Sequence, residues 1–93
     1  MKIEHINETT SGHFKAVIQE VEIGKMTYTW SGTKTFIIDH TEVNPDFKGQ
    51  SVGKKMILEA VQYARENNFK IIPTCSFAKS IFDKTKEIQD IQL

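Results

Sequence analysis

The stretch Lys48-Gly49-Gln50-Ser51-Val52-Gly53-Lys54-Lys55 sets two glycines and three lysines at the start of an apolar periodic segment. A loop that opens a helix in this way offers unpaired backbone N–H groups and the positive end of the helix dipole, a combination that holds phosphate. Glycine lets the backbone approach such a ligand with no side chain in between. Two more residues can do chemistry. Histidine takes and gives protons near neutral pH, which makes His40 a candidate general base. Cys75, the only cysteine, stands just before a segment with helical spacing. A helix N-terminus activates a thiol, as nucleophile or as proton donor.

Two familiar phosphate loops do not fit. The nucleotide P-loop needs four residues between its glycines and a Ser or Thr after the lysine. Here Gly49 and Gly53 enclose three residues, and Lys54 is followed by Lys55. The dinucleotide pattern GxGxxG fails at Gln50 and Ser51.

Lys plus Arg and Asp plus Glu each number 12, so the chain carries no net charge. That disfavours nucleic acid as a partner, because such binding depends on neutralising many phosphates. The balance hides an asymmetry. Residues 1–46 carry 4 basic and 7 acidic side chains, whereas residues 47–86 carry 8 basic and 3 acidic. The basic excess sits with the glycine loop and suits a local anion. One cysteine allows no intrachain disulfide, and a reducing, cytoplasmic setting is expected. MKIEHINETTSGHF lacks the apolar core of a signal peptide, no apolar run reaches membrane-spanning length, and no membrane partner is expected. His5 and His13 have no metal-ligand spacing to Cys75 or to a carboxylate cluster, so no metal is expected.

The elements that must position these residues follow from periodicity. FKAVIQEVE, from Phe14 to Glu22, alternates apolar and polar residues and predicts one strand or two short ones. Gly24 and Lys25 read as a turn. Met26–Trp30 alternates again, Ser31 and Gly32 read as a hairpin turn, and Thr33–Val43 as a long strand. Strict alternation gives His40 and Glu42 the parity of Phe36 and Ile38. On an apolar strand face a lone histidine is usually a packed core residue, as a lone cysteine is usually a small buried hydrophobe. Val52, Met56, Ile57, Ala60, Val61 and Ala64 make one helical face. Asn67 and Asn68 suit a left-handed helix stop. Phe69–Ile72 reads as a buried strand that Pro73 ends. Ala78–Glu87 reads as a last helix capped by Thr74 or Ser76. Strand, helix and strand in this order make Thr35–Val43 and Phe69–Ile72 parallel neighbours.

Lys48-Gly49-Gln50-Ser51-Val52-Gly53 resembles the Arg-Gly-x-Gly-Leu-Ala form of the pyrophosphate loop in GNAT-type N-acetyltransferases, with lysine for arginine and Ser51 for the middle glycine. Ile37–Val43 (IIDHTEV) and Ile71–Lys79 (IIPTCSFAK) extend the match. Together the three stretches resemble a minimal GNAT subfamily of about this length. Its marks are a His-Thr-x-Val strand end, the glycine loop, and a Pro-x-Cys-Ser-aromatic segment. The resemblance runs through nearly the whole chain and is firmest from Ile38 to Lys79.

The resemblance implies a compact α+β fold for residues 1–93 as a single domain. Its mixed, mostly antiparallel sheet would have about five strands and a splayed parallel pair, with one long and one short helix. It implies acetyl-coenzyme A as donor, bound by Thr41, Glu42, Val43, Lys48, Gly49, Gln50, Ser51, Val52, Gly53, Lys54 and Ser76. It implies acetyl transfer to an amine acceptor of unknown identity, with His40 and Cys75 as catalytic residues. Either Cys75 carries the acetyl group or it protonates the departing thiolate. Phe77 reads as a core residue, with stacking on the cofactor as the alternative. The rival readings are a module that holds acyl-coenzyme A without turning it over, a nucleotide-binding domain, and a structural domain with no ligand.

Overall fold

Alternation in the first half of the chain produces a meander, and the computed structural model, which describes residues 1–93, shows how each strand is cut. Strands β1 (Lys2–Asn7), β2 (Ser11–Ile18), β3 (Val21–Trp30) and β4 (Thr35–Val43) are followed by helix α1 (Val52–Asn67), strand β5 (Lys70–Pro73) and helix α2 (Ser76–Lys84). The strands lie in the order β1-β2-β3-β4-β5. The first three neighbouring pairs are antiparallel, and β4 runs parallel to β5. The architecture is the expected α+β one, a mixed sheet of five strands with one long and one short helix.

The five strands are not quite those read from the pattern. β1 went unread, because KIEHIN is short and polar. Ile3, His5 and Asn7 nonetheless pair with Ala16, Phe14 and Gly12 along one face. The turn expected at Gly24–Lys25 is also misplaced. The chain reverses at Gln19 and Glu20, whose φ values of 48° and 68° are both left-handed, the backbone of a two-residue hairpin turn. Gly24 lies inside β3, and its missing side chain serves packing. A Cβ there would lie 3.1 Å from Val52 and 3.2 Å from Met56 of α1. The Ser31–Gly32 turn exists, with Gly32 at φ +80°, but β4 begins only at Thr35.

α1 buries Val52, Met56, Ile57, Ala60, Val61 and Ala64, the face that the spacing predicts, and stops at Asn68, whose φ is 59°. α2 ends at Lys84 rather than Glu87, and its cap is neither Thr74 nor Ser76 but Cys75. β5 is shifted by one residue, with Pro73 as its last member, paired to Ile38.

Both helices share one face of the sheet. The Phe77 ring of α2 lies against Gly53 at the start of α1. At the far end, Arg65 of α1 forms an ion pair of 2.7 Å with Asp90, beyond α2. The terminal residues close the outer edge of β5, where the Ile71 N–H donates to Ile91 and the Leu93 N–H to Ile71. Eighteen buried side chains from Phe14 to Ile91 form one continuous core between the sheet and the helices. The opposite face of the sheet carries no helix. No helix is long and apolar enough to cross a membrane.

Candidate active site

Asn44 starts the loop after β4 by accepting the Asp46 N–H at 2.9 Å on its side-chain oxygen, and a short turn spans Pro45–Phe47. Gly49 (φ +83°) and Ser51 (φ 58°) then take left-handed conformations. The result is a backbone concavity. The N–H groups of Gly49, Ser51, Val52, Gly53 and Lys54 donate to no protein acceptor. The first turn of α1 contains no acidic residue, and Lys54 and Lys55 stand in it. Free donors, dipole and lysines all favour an anion here.

Beside this loop lies a cavity of about 300 Å³ lined by Thr41, Val43, Phe47, Lys48, Gly49, Ser51, Val52 and Phe77. Six of these are among the residues expected to bind the cofactor. Phe47 and Phe77 are not. Phe77 keeps 41% of its surface exposed and walls the cavity, instead of filling the core. The position of Gly53 has a second reason beside the backbone approach that the sequence suggested. A Cβ there would lie 2.6 Å from the Phe77 ring, so the glycine makes room for an aromatic wall. The closeness of Phe77 to Gly53 in space was the missing signal, and linear spacing does not carry it.

β4 and β5 pair from Thr35–Lys70 to Ile38–Pro73 and then part. The Ile38 carbonyl gathers the Thr74 N–H (3.1 Å), the Cys75 N–H (3.4 Å) and the Thr74 hydroxyl (2.9 Å), which turns the chain out of the sheet and into α2. From Asp39 to Val43, β4 therefore has no strand on that side. Half-buried Cys75 sits at this mouth. Its Sγ accepts the Ala78 N–H at 3.4 Å, capping α2, and lies 3.5 Å from the Thr41 Oγ1.

The parity expected for His40 is broken by a bulge. β3 pairs Tyr28 with Ile38 but Thr27 with His40, so Asp39 is an extra residue in β4. An extra residue flips the alternation beyond it. Thr41 and Val43 are thereby turned toward the helices, opposite buried Met26 and Gly24, and His40 and Glu42 toward the open face. The side chain of His40 is 64% exposed, and its Nε2 lies 3.7 Å from the Glu42 carboxylate. His40 is thus no core histidine. No hydrogen bond or ion pair joins it to Cys75, and the two flank the β4–β5 gap from opposite faces. Glu42, Gln50, Gly53, Lys54 and Ser76, also expected to bind the cofactor, do not line the cavity.

A GCN5-related N-acetyltransferase family model matches residues 13–91. The chain belongs to that family of acetyltransferases. Among solved structures, a GCN5-like protein from Staphylococcus aureus determined by NMR is 36% identical. The match covers 97% of this chain and 87% of that one, with a TM-score of 0.72. An aminoglycoside acetyltransferase from an uncultured soil sample, in complex with trehalose, shares the fold at 21% identity and a TM-score of 0.70, over 86% of this chain and 59% of that one. A GNAT family acetyltransferase from Elizabethkingia anophelis with acetyl-CoA bound does so at 17% identity and a TM-score of 0.61, over 69% and 42%. No curated protein sequence matches.

Proposed function

We propose that residues 1–93 act as one acetyl-coenzyme A binding domain that passes the acetyl group through the β4–β5 gap to an amine arriving on the open face. The observation that carries this reading is the continuity of three features: the free N–H groups of the loop, the cavity between the helix starts, and the mouth where β4 loses its partner strand. The pyrophosphate rests on the loop N–H groups with Lys48 and Lys54 beside it. The pantetheine arm follows Thr41 and Val43 between Phe47 and Phe77, and the thioester reaches Thr41 and Cys75.

His40 takes a proton from the acceptor ammonium, and Glu42 stabilises the imidazolium so formed. The amine lone pair attacks the thioester carbon, the C–S bond breaks, and the thiolate of coenzyme A leaves. Cys75 gives that thiolate a proton and recovers one from water. The amide forms as its nitrogen gives up its remaining extra proton to solvent. Direct transfer is preferred to an acetyl-cysteine intermediate, because the polar neighbours of Sγ are a hydroxyl and an N–H, with no base among them. The open face carries no helix to enclose a small acceptor, which favours an amine on a protein, a lysine or an N-terminus. The free thiol of Cys75 suits the reducing cytoplasm.

The separation of His40 from Cys75 favours one other reading, a module that holds acyl-coenzyme A without turning it over. Intact-protein mass spectrometry after incubation with acetyl-coenzyme A alone, with Cys75→Ala as control, comes first. Direct transfer predicts no acetyl adduct on either protein and a coenzyme A complex preserved under native spraying. An adduct on the wild type alone would replace direct transfer with the covalent route. Absence of the complex would refute the site. Release of coenzyme A thiol on adding an amine, reduced by about 10²–10⁴ in His40→Ala, separates the enzyme from the passive binder.

A further inference from the structure

The bulge brings a second side chain to the mouth of the gap, and the mechanism above does not use it. Asp39 is the first residue of β4 beyond the parallel ladder, which ends at Ile38–Pro73. It is exposed on the open face beside His40. Its carboxylate is not free to turn. The Thr27 hydroxyl donates to Oδ1 at 2.5 Å and the Thr29 hydroxyl to Oδ2 at 2.7 Å. Both donors are neutral, and neither Lys25 nor any other cationic side chain reaches Asp39 to form an ion pair. Each carboxylate oxygen has two acceptor positions, so one remains on each. Two threonines on β3 thus hold a carboxylate with no counter-charge on the open face, next to His40 in the strand.

We infer that Asp39 determines the acceptor class: it binds a primary alkylammonium, the form a lysine side chain takes at neutral pH, and holds it beside His40. The inference rests on the acetyl-transfer reading. An ammonium bound between Asp39 and His40 gives one proton to His40 and remains hydrogen-bonded to Asp39 as the amine attacks. Uncharged or anionic amines gain nothing from this carboxylate. The bulge has a role of its own in this account, because with regular pairing only one of residues 39 and 40 would face the acceptor.

The test compares the wild type with Asp39→Asn, whose side-chain oxygen still accepts a threonine hydroxyl. Thiol release is followed at saturating acetyl-coenzyme A with two amines, Nα-acetyl-lysine amide and para-anisidine, an arylamine uncharged at neutral pH. Loss of a charge-assisted hydrogen bond lowers kcat/KM for the lysine derivative about tenfold to a hundredfold, mainly through KM. The arylamine rate stays unchanged. Equal losses on both amines, or no loss on either, overturn the inference. If the wild type acetylates neither amine, titration of the ¹⁵N-labelled protein with the lysine derivative decides. Shifts at Thr27, Asp39 and His40 that vanish in Asp39→Asn sustain it, and a wild type without shifts refutes it. Calorimetric affinity for coenzyme A is measured on both proteins. Retained affinity leaves the donor site standing even when the acceptor inference falls.

Discussion

At the β1–β3 end of the sheet, the Tyr28 hydroxyl donates to the Asn7 side-chain oxygen at 2.9 Å, Trp30 Nε1 donates to the same oxygen at 2.8 Å, and His5 Nε2 meets the Tyr28 oxygen at 2.6 Å. His5 stacks on Phe14 with ring centroids 4.1 Å apart, and Tyr63 closes on it edge-first at 4.4 Å. Gly12 is required there, because a Cβ would lie 2.4 Å from the Tyr28 ring. At the β4–β5 end, five backbone N–H groups donate to nothing in the protein and Ser51 holds a left-handed backbone with no capping bond from its side chain. One end spends its polar groups on itself. The other keeps donors, an uncompensated carboxylate and a bulged strand available. Stability and chemistry are thereby assigned to different ends of one sheet, and substitutions should divide the same way.

The largest separation should come from two phenylalanines. Phe14 is buried in the closed end, and Phe14→Ala should cost about 3–5 kcal/mol, from lost transfer energy plus the cavity left behind. Phe77 is 41% exposed in the open end. Phe77→Ala should lower the urea midpoint far less and weaken coenzyme A binding more. Urea unfolding and calorimetry on both variants check the pair. A Phe77→Ala protein as destabilised as Phe14→Ala would mean that Phe77 is a core residue after all.

That pair also marks how far the sequence was legible. The helix face from Val52 to Ala64 and the parallel pairing across it follow from spacing alone, because periodicity reports burial directly. Residues of the glycine loop could be named because backbone donors at a helix start depend on local sequence. What escaped depended on tertiary register. The bulge at Asp39 leaves no mark in TFIIDHTEV, yet it decides that Thr41 and Val43 rather than His40 face the helices. Gly24 looked like a turn, and the room that Gly24 and Gly53 each make for a ring or side chain distant in sequence could not be read from spacing. The Gln19–Glu20 reversal has no glycine, asparagine or proline to announce it. β1 was hidden because its polar residues meet an aromatic cluster assembled from three other elements.

A smaller effect is expected from the Tyr28 hydroxyl. Burial pushes this phenol well above its ordinary pKa, so it stays protonated and donates to Asn7. Tyr28→Phe keeps the ring, leaves His5 Nε2 without a partner and leaves the Asn7 oxygen with Trp30 Nε1 alone. Partly buried groups left unpaired cost about 1–3 kcal/mol in all. Thermal unfolding should show the loss, with coenzyme A affinity unchanged. A parallel fall in affinity would show that the two ends are coupled and would break the division.

The smallest effect is a pH dependence confined to the closed end. His5 is exposed as a residue, yet its ring lies flat on Phe14. That partial burial, with the neighbouring charge of His13, lowers its pKa below the ordinary 6.5. The Tyr28 proton goes to Asn7, so His5 Nε2 must be the donor to the Tyr28 oxygen. The neutral ring serves with its proton on Nε2, and the folded state gains nothing from a second proton. Unfolded His5 takes that proton as the pH falls through 6.5, whereas folded His5 takes it only at lower pH. The unfolded state therefore binds more protons in the interval. The contribution of His5 to stability is complete above pH 6.5 and is lost as the pH falls through the lowered folded value. The urea midpoint of the wild type should drop between pH 7.5 and 5.5 by more than that of His5→Gln, which removes the titration and keeps a side-chain donor. Equal drops in the two proteins would show that His5 is not the source of the pH sensitivity.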